Sequence, residues 1–237
     1  MTDMIKKQQN NAAVRTDEVW KIFEQEAEEV QAVRGVSLTI EPGEFTAMAG
    51  PSGSGKTTLL NLIGGLTRAT RGRVHVAGQE MTAMSNRQLA RLRLDQIGFV
   101  FQAYNLLPVL TALENAEFPL LLQGMDISER RKRVHTLFER TGLAGLEDRR
   151  PGKLSGGQQQ RVAVIRAVVG EPALVLADEP TANLDSEASN QLLAMMEELN
   201  RELGTTFVFA THDPRVMDRA QRLVRLVDGS VASDEHR

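Results

Sequence analysis

No cysteine occurs in the chain. That excludes a disulfide framework and any thiolate metal site, and it suits a reducing compartment. No apolar run approaches the ~18 to 20 residues that a helix needs to cross a bilayer. The most apolar region, Val162 to Ala177, is broken by Arg166, Glu171 and Pro172. Strong charge of one sign is also missing, since the formal net charge is −3. Without a global basic field, nucleic acid is not an expected partner. The first residues, MTDMIKKQQNNAA, carry no apolar segment after their lysines. Residues 1–13 therefore read as a disordered polar tail and not as a signal peptide. No internal repeat is visible. What remains is a chain of 237 residues, enough to bury a real core in one domain with a subdomain.

The organising stretch runs from Leu154 to Asp185, LSGGQQQRVAVIRAVVGEPALVLADEPTANLD. It opens on Ser155-Gly156-Gly157-Gln158 ahead of a helical pattern. Ser is a good N-cap, and the glycines let another group approach the backbone. A helix starting there directs free N–H groups and partial positive charge outward, which suits a phosphate. It closes on an apolar run, Ala173 to Ala177, followed by Asp178-Glu179. Such a run reads as a buried parallel strand that delivers two carboxylates at its carboxyl end.

Three further apolar strands end in chemistry. Phe45 to Ala49 leads into Gly50-Pro51-Ser52-Gly53-Ser54-Gly55-Lys56-Thr57-Thr58, which matches G-x-x-x-x-G-K-[ST]. The glycines permit a compact loop whose N–H groups nest around phosphates. Lys56 is placed for the β and γ phosphates, and the Thr57 hydroxyl for Mg²⁺. Ile97 to Phe101 ends at Gln102, whose side-chain oxygen is a second candidate for Mg²⁺. Thr205 to Ala210 ends at Thr211-His212-Asp213. Parallel strands with helices between them bring all four ends to one edge. Arg15–Phe23 and Val30–Ile40 read as two more strands around an acidic turn, Glu24 to Glu29. Phe23 is open to two readings, a core aromatic or a surface for a nucleobase. His75 reads as a strand-surface residue and His135 as structural or exposed. The run Arg130 to Arg133 reads as a solvated helix face, with a partner or lipid contact as the alternative. Pro108, Pro119, Gly124, Gly142 and Pro151 mark breaks in a helical stretch. Arg222 to Val231 reads as a hairpin closed by Asp228-Gly229, followed by a polar tail at 233–237.

From about residue 14 to residue 232 the chain resembles an ABC-type ATPase. The stretch Leu154 to Asp185 is similar to the signature motif, Walker B segment and D-loop, and Gln102 to the Q-loop. The resemblance implies a fold of the P-loop NTPase (RecA-like) α/β class. A parallel-sheet core would span 14–102 and 166–232, with an antiparallel β-subdomain. An inserted helical subdomain would span 103–165. It also implies ATP with Mg²⁺ held by Thr57, Gln102 and, through a water, Asp178. Glu179 is then the candidate general base, His212 the support of the γ-phosphate, and Phe23 the surface that stacks on adenine. Ser155 to Gln158 would close over ATP held by the P-loop of a second copy, with Asp185 near that interface. Lys56 and Ser155 are only 99 positions apart. That leaves no room for the long coiled coil of DNA-repair and chromosome types, and translation types usually carry two such domains. The implied protein is a transporter subunit driving a separate membrane permease, peripheral on the cytoplasmic face of the inner membrane. Ile63 to Leu66, Ile97 to Gln102, Asn105 to Pro108 and Leu110 to Asn115 are similar to one branch. It holds the lipoprotein-release, macrolide-export and cell-division ATPases. Ala182 stands where Gly is usual in that branch, and Thr67 where Asp is frequent. A cell-division type that signals without transport, and a soluble ABC ATPase, are the alternative readings. Tyr104, Leu106, Leu107, Pro108 and Val109 are candidates for docking the permease or for packing the subdomain core.

Overall fold

The computed structural model describes residues 12–25 and 28–237. Two sheets share the fold. The larger has six strands in the order β10-β9-β3-β8-β7-β6. These are β3 (Phe45–Ala49), β6 (Ile97–Phe101), β7 (Leu174–Asp178), β8 (Thr206–Thr211), β9 (Arg222–Val227) and β10 (Ser230–His236). All neighbours pair parallel except β10 on β9. The smaller sheet is antiparallel, with order β2-β1-β4-β5. It is built from β1 (Val14–Gln25), β2 (Glu28–Ile40), β4 (Arg71–Val76) and β5 (Gln79–Glu80). The P-loop α/β core with an antiparallel subdomain is therefore present as expected.

The large sheet is apolar on both faces, so its strands alternate between two cores. Val175 and Ala177 of β7, with Phe207 and Phe209 of β8, face the helical layer. Leu174, Leu176, Val208 and Ala210 face α1 (Lys56–Ile63) and the small sheet. The helical layer holds α3 (Ala112–Leu122), α4 (Ile127–Arg140), α5 (Gly156–Val168) and α6 (Ser186–Leu203). Two shorter helices are α2 (Asn86–Gln96), capped by Ser85, and α7 (Pro214–Arg219). β3, β8, β7 and β6 are consecutive in the sheet. Being parallel, they bring their four carboxyl ends to one edge.

Some boundaries differ from the sequence reading. Residues 1–11 of the expected tail, and residues 26–27 of the acidic turn, lie outside the described residues. Ala12 and Ala13 are buried, and the Ala13 carbonyl accepts from the Ala77 N–H. The tail expected at 233–237 is a strand as far as His236. Its polar sequence hid it, and Arg222 holds it through a paired hydrogen bond to Asp234. The division expected at 165 falls inside α5, which continues unbroken to Val168. Pro119 does not break α3 either: the helix runs through it to Leu122, and the Pro119 carbonyl accepts from the Gln123 N–H.

Candidate functional site

At the shared edge lies a cleft of about 700 Å³ lined by Phe23, Val30, Ala32, Gln102, Glu179, His212 and, apart from Ser54, the loop from Pro51 to Thr58. The loop is a nest because of its glycines. Gly55 has φ +95, and a Cβ there would stand 2.3 Å from the Ala32 carbonyl oxygen. A Cβ on Gly50 would stand 2.2 Å from the Leu226 carbonyl oxygen. Gly55 begins α1 with no side-chain cap, so the first N–H groups of the helix stay open to an anion. Lys56 is buried at 7% exposure, and its ammonium donates to the Gly50 and Pro51 carbonyls at 2.7 and 2.8 Å. Its third donor is left for a ligand. Ser52 and Gly53 form the exposed rim, and Thr58 is half-buried. Ser54 is buried, and its hydroxyl has no partner among the described residues. Phe23, paired across from Val30, is 40% exposed and stands over the Lys21 ammonium. The core reading of Phe23 therefore fails.

β7 delivers its carboxylates as expected. Thr57 Oγ1 donates to Asp178 Oδ1 at 2.9 Å. Burial pushes the Asp178 carboxyl above its usual range. The Thr57 hydroxyl and Lys56 oppose the shift, and Glu179 adds to it. A hydroxyl and a half-buried carboxylate meeting there form a hard oxygen donor pair of the kind that Mg²⁺ takes. Glu179 sits at φ 46, a strained backbone for a non-glycine residue. Its carboxylate accepts from Thr211 Oγ1 at 3.0 Å and from the His212 N–H at 3.4 Å. His212 Nδ1 lies 2.6 Å from its other oxygen. Gln102 lines the cleft, and its backbone carbonyl accepts from Asn183 Nδ2 at 2.9 Å.

The other anion device is elsewhere. Ser155, Gly156, Gly157 and Gln158 do not line the cleft. Ser155 caps α5 as expected, in a reciprocal box. Its hydroxyl accepts from the Gln158 N–H at 3.3 Å, and Gln158 Oε1 accepts from the Ser155 N–H at 2.9 Å. The small surface at Gly156 is in use, because a Cβ there would stand 2.9 Å from the Tyr104 hydroxyl. Asp185 caps α6 through the Ala188 N–H and lies outside the cleft.

The family described as "ABC transporter" matches residues 33–182. The chain belongs to the ATP-binding family of ABC transporters. The chain is 51% identical to the lipoprotein-releasing system ATP-binding protein LolD of Anaeromyxobacter dehalogenans, over 85% of each protein. It is 43% identical to the macrolide export ATP-binding/permease protein MacB of Chromobacterium violaceum. That match takes in 95% of this chain but only 35% of the relative. Its fold superposes with a TM-score of 0.87 on a dimeric, post-hydrolysis structure of the ATP-binding cassette MJ0796 bound to ADP and Pi. Identity there is 41%, over 94% of this chain and 98% of the other. The branch read from the sequence is thus the one its relatives occupy, and the chain is an ABC ATPase.

Of the five docking candidates, Leu106 packs on the core, while Leu107 and Val109 are 40% and 73% exposed. None of the five lines the neighbouring apolar groove of about 420 Å³, which takes Asn105 of the same loop together with Leu66, Phe99, Phe101, Phe118, Leu122 and Arg166, among others. The run at Arg130 to Arg133 is not uniformly solvated. Arg130 pairs with buried Glu117 at 2.9 Å and ties α4 to α3. Sequence reasoning missed the polar residues that hold the strand ends, Gln160, Arg166, Asn183 and Thr211. Only Thr211 had a local signal, its place beside His212.

Proposed function

We propose that this chain is the ATP-hydrolysing subunit of an ABC transporter that drives a separate membrane permease. The observation that carries the reading is the meeting of four strand ends and the uncapped N-terminus of α1 around one cleft. Residues 14–232 act together as one ATPase domain on this reading. The loop N–H groups and Lys56 hold the phosphates, and Phe23 offers its exposed face to adenine. Thr57, Asp178 and Gln102 would hold Mg²⁺, which when bound neutralises charge on the phosphates. Glu179 polarises the attacking water, in a position set by its strained backbone and by Thr211. His212 is exposed on a loop while Glu179 is fixed at a strand end. His212 is therefore the member that can leave its partner and turn to the γ-phosphate.

The working unit on this reading is a head-to-tail homodimer with two ATP molecules between the copies. Ser155 to Gln158 and Asp185 lie outside their own chain's cleft, which supports a role at the cleft of the partner. No described helix is long and apolar enough to cross a membrane, so coupling would run through a permease. That permease seats a short helix in the groove beside Leu107, and the subunit works on the cytoplasmic face of the inner membrane. Release or export of lipoprotein, drug or another envelope substrate follows the names of its relatives. The test is Glu179→Gln. ATP binding should persist while turnover falls about 10²-fold or more, some 3 kcal/mol of barrier. Near-normal turnover would remove Glu179 from the role.

A further inference from the structure

Gln160 stands on α5, two residues after the signature Gln158, yet its side chain is fully buried. Its amide nitrogen donates to the Pro180 carbonyl at 2.8 Å and to the Phe101 carbonyl at 3.3 Å. Pro180 follows Glu179, and Phe101 precedes Gln102. One amide thus bridges the ends of β7 and β6 at the residues that adjoin the candidate base and the candidate metal ligand. The assignment of its oxygen and nitrogen is fixed by the partners. A flipped amide would set oxygen against two carbonyl oxygens. In the orientation present, Oε1 is buried without any partner among the described residues. The side chain is therefore held for its donors, at the expense of its acceptor.

Two more side chains hold the same segment. Asn183 Nδ2 donates to the Gln102 carbonyl at 2.9 Å. Arg166, also on α5, donates to the carbonyls of Tyr104 and Asn105 at 2.9 and 2.6 Å. Both of those residues have positive φ, 60° and 50°. The loop after β6 is thus pinned in a strained path by donors from α5 and from the turn after β7. A rotation of α5 must carry the Phe101 and Pro180 carbonyls with it or break the bonds to Gln160.

We propose that Gln160 is a positioning residue, which ties the signature helix to Gln102 and Glu179 and sets their separation for hydrolysis. The inference rests on the roles given to those two residues above. The test is Gln160→Met in the full chain, read by ATP turnover, by titration with a fluorescent ATP analogue and by thermal melting. Methionine of similar length exchanges one buried unpaired oxygen, Oε1, for another, the Pro180 carbonyl. Stability should therefore stay close to wild type. The expected result is a fall in kcat of about tenfold or more, with nucleotide Kd within about twofold and melting unchanged. A kcat within about twofold of wild type overturns the proposal. So does a loss of binding and melting temperature in step with kcat, which marks a merely structural residue. If Gln160→Met does not fold, Gln160→Asn keeps the amide but withdraws it by one methylene, and it is judged by the same readings. Glu179→Gln run in parallel separates the two ideas. If that variant keeps its turnover the assignment of the base has failed, whereas a fall there beside an unaffected Gln160→Met sinks only the tie.

Discussion

Two helices of this chain begin in glycine-rich loops, and they begin differently. α1 starts at Gly55 in a left-handed conformation with no side-chain cap. α5 starts at Ser155 in a complete capping box. The first presents open N–H groups to a cleft of its own chain. The second has its Gln158 N–H taken up by the Ser155 hydroxyl, leaves those of Gly156 and Gly157 without a partner among the described residues, and does not line that cleft. An uncapped start costs helix stability unless an anion takes up the donors. A capped start is stable alone and keeps its remaining N–H groups for an anion brought by another chain. On the proposed reading the chain holds one anion site ready and one in reserve, as half-sites completed by a second copy would.

The largest effect should come from filling the ready site. In Gly55→Ala the new Cβ meets the Ala32 carbonyl at a φ that L-residues avoid. Nucleotide affinity of the isolated chain should fall by about 10²-fold in a calorimetric titration. Binding within about threefold of wild type would show that the loop is not held by this contact. The reserve site should respond in the opposite sense. Ser155→Ala removes a cap worth about 1 kcal/mol and should lower the melting temperature by roughly 2–4 °C. The isolated chain should bind nucleotide as before. A change in its affinity would contradict the separation of the two devices.

The smallest effect concerns the hairpin that backs the ready site. The Gly229 N–H donates to the Ser54 carbonyl, and β10 is fastened by Arg222. The Arg222 guanidinium bonds Asp234 and holds its carboxyl below the usual range. A carboxyl depressed on folding contributes stability above its unfolded value, about 3.9, and loses it as pH falls through the folded one. Asp234→Asn should therefore melt slightly lower at neutral pH. It should also show a shallower loss of melting temperature as pH falls below about 4. An unchanged acid profile would remove Asp234 from this role.

The sequence made the ready site legible because its signals are local. β3, β7 and β8 are continuous apolar runs, and Gly50 to Thr58 is a contiguous pattern next to one of them. Ser155 was legible as a cap for the same reason. The hairpin end was not, because Ser230 to His236 is a polar edge strand. Its pairing depends on an arginine that meets Asp234 only after folding. Gln160 was hidden for a related reason. A third glutamine in a polar run at a helix start reads as solvent-facing, and only packing of α5 on β6 and β7 buries it. Pro119 misled because a proline inside a helix costs it one hydrogen bond without always ending it, and here the helix continues to Leu122.

Mixing two damaged chains tests the half-site account most directly. Lys56→Ala damages the ready site, and Ser155→Arg blocks the reserve one. Each homodimer should be inactive. A mixed dimer contains one composite site with both parts intact and one with both parts damaged. Partial recovery of ATP turnover in the mixture is the predicted result. No recovery, with mixed dimers shown to form, would contradict the sharing of sites between copies.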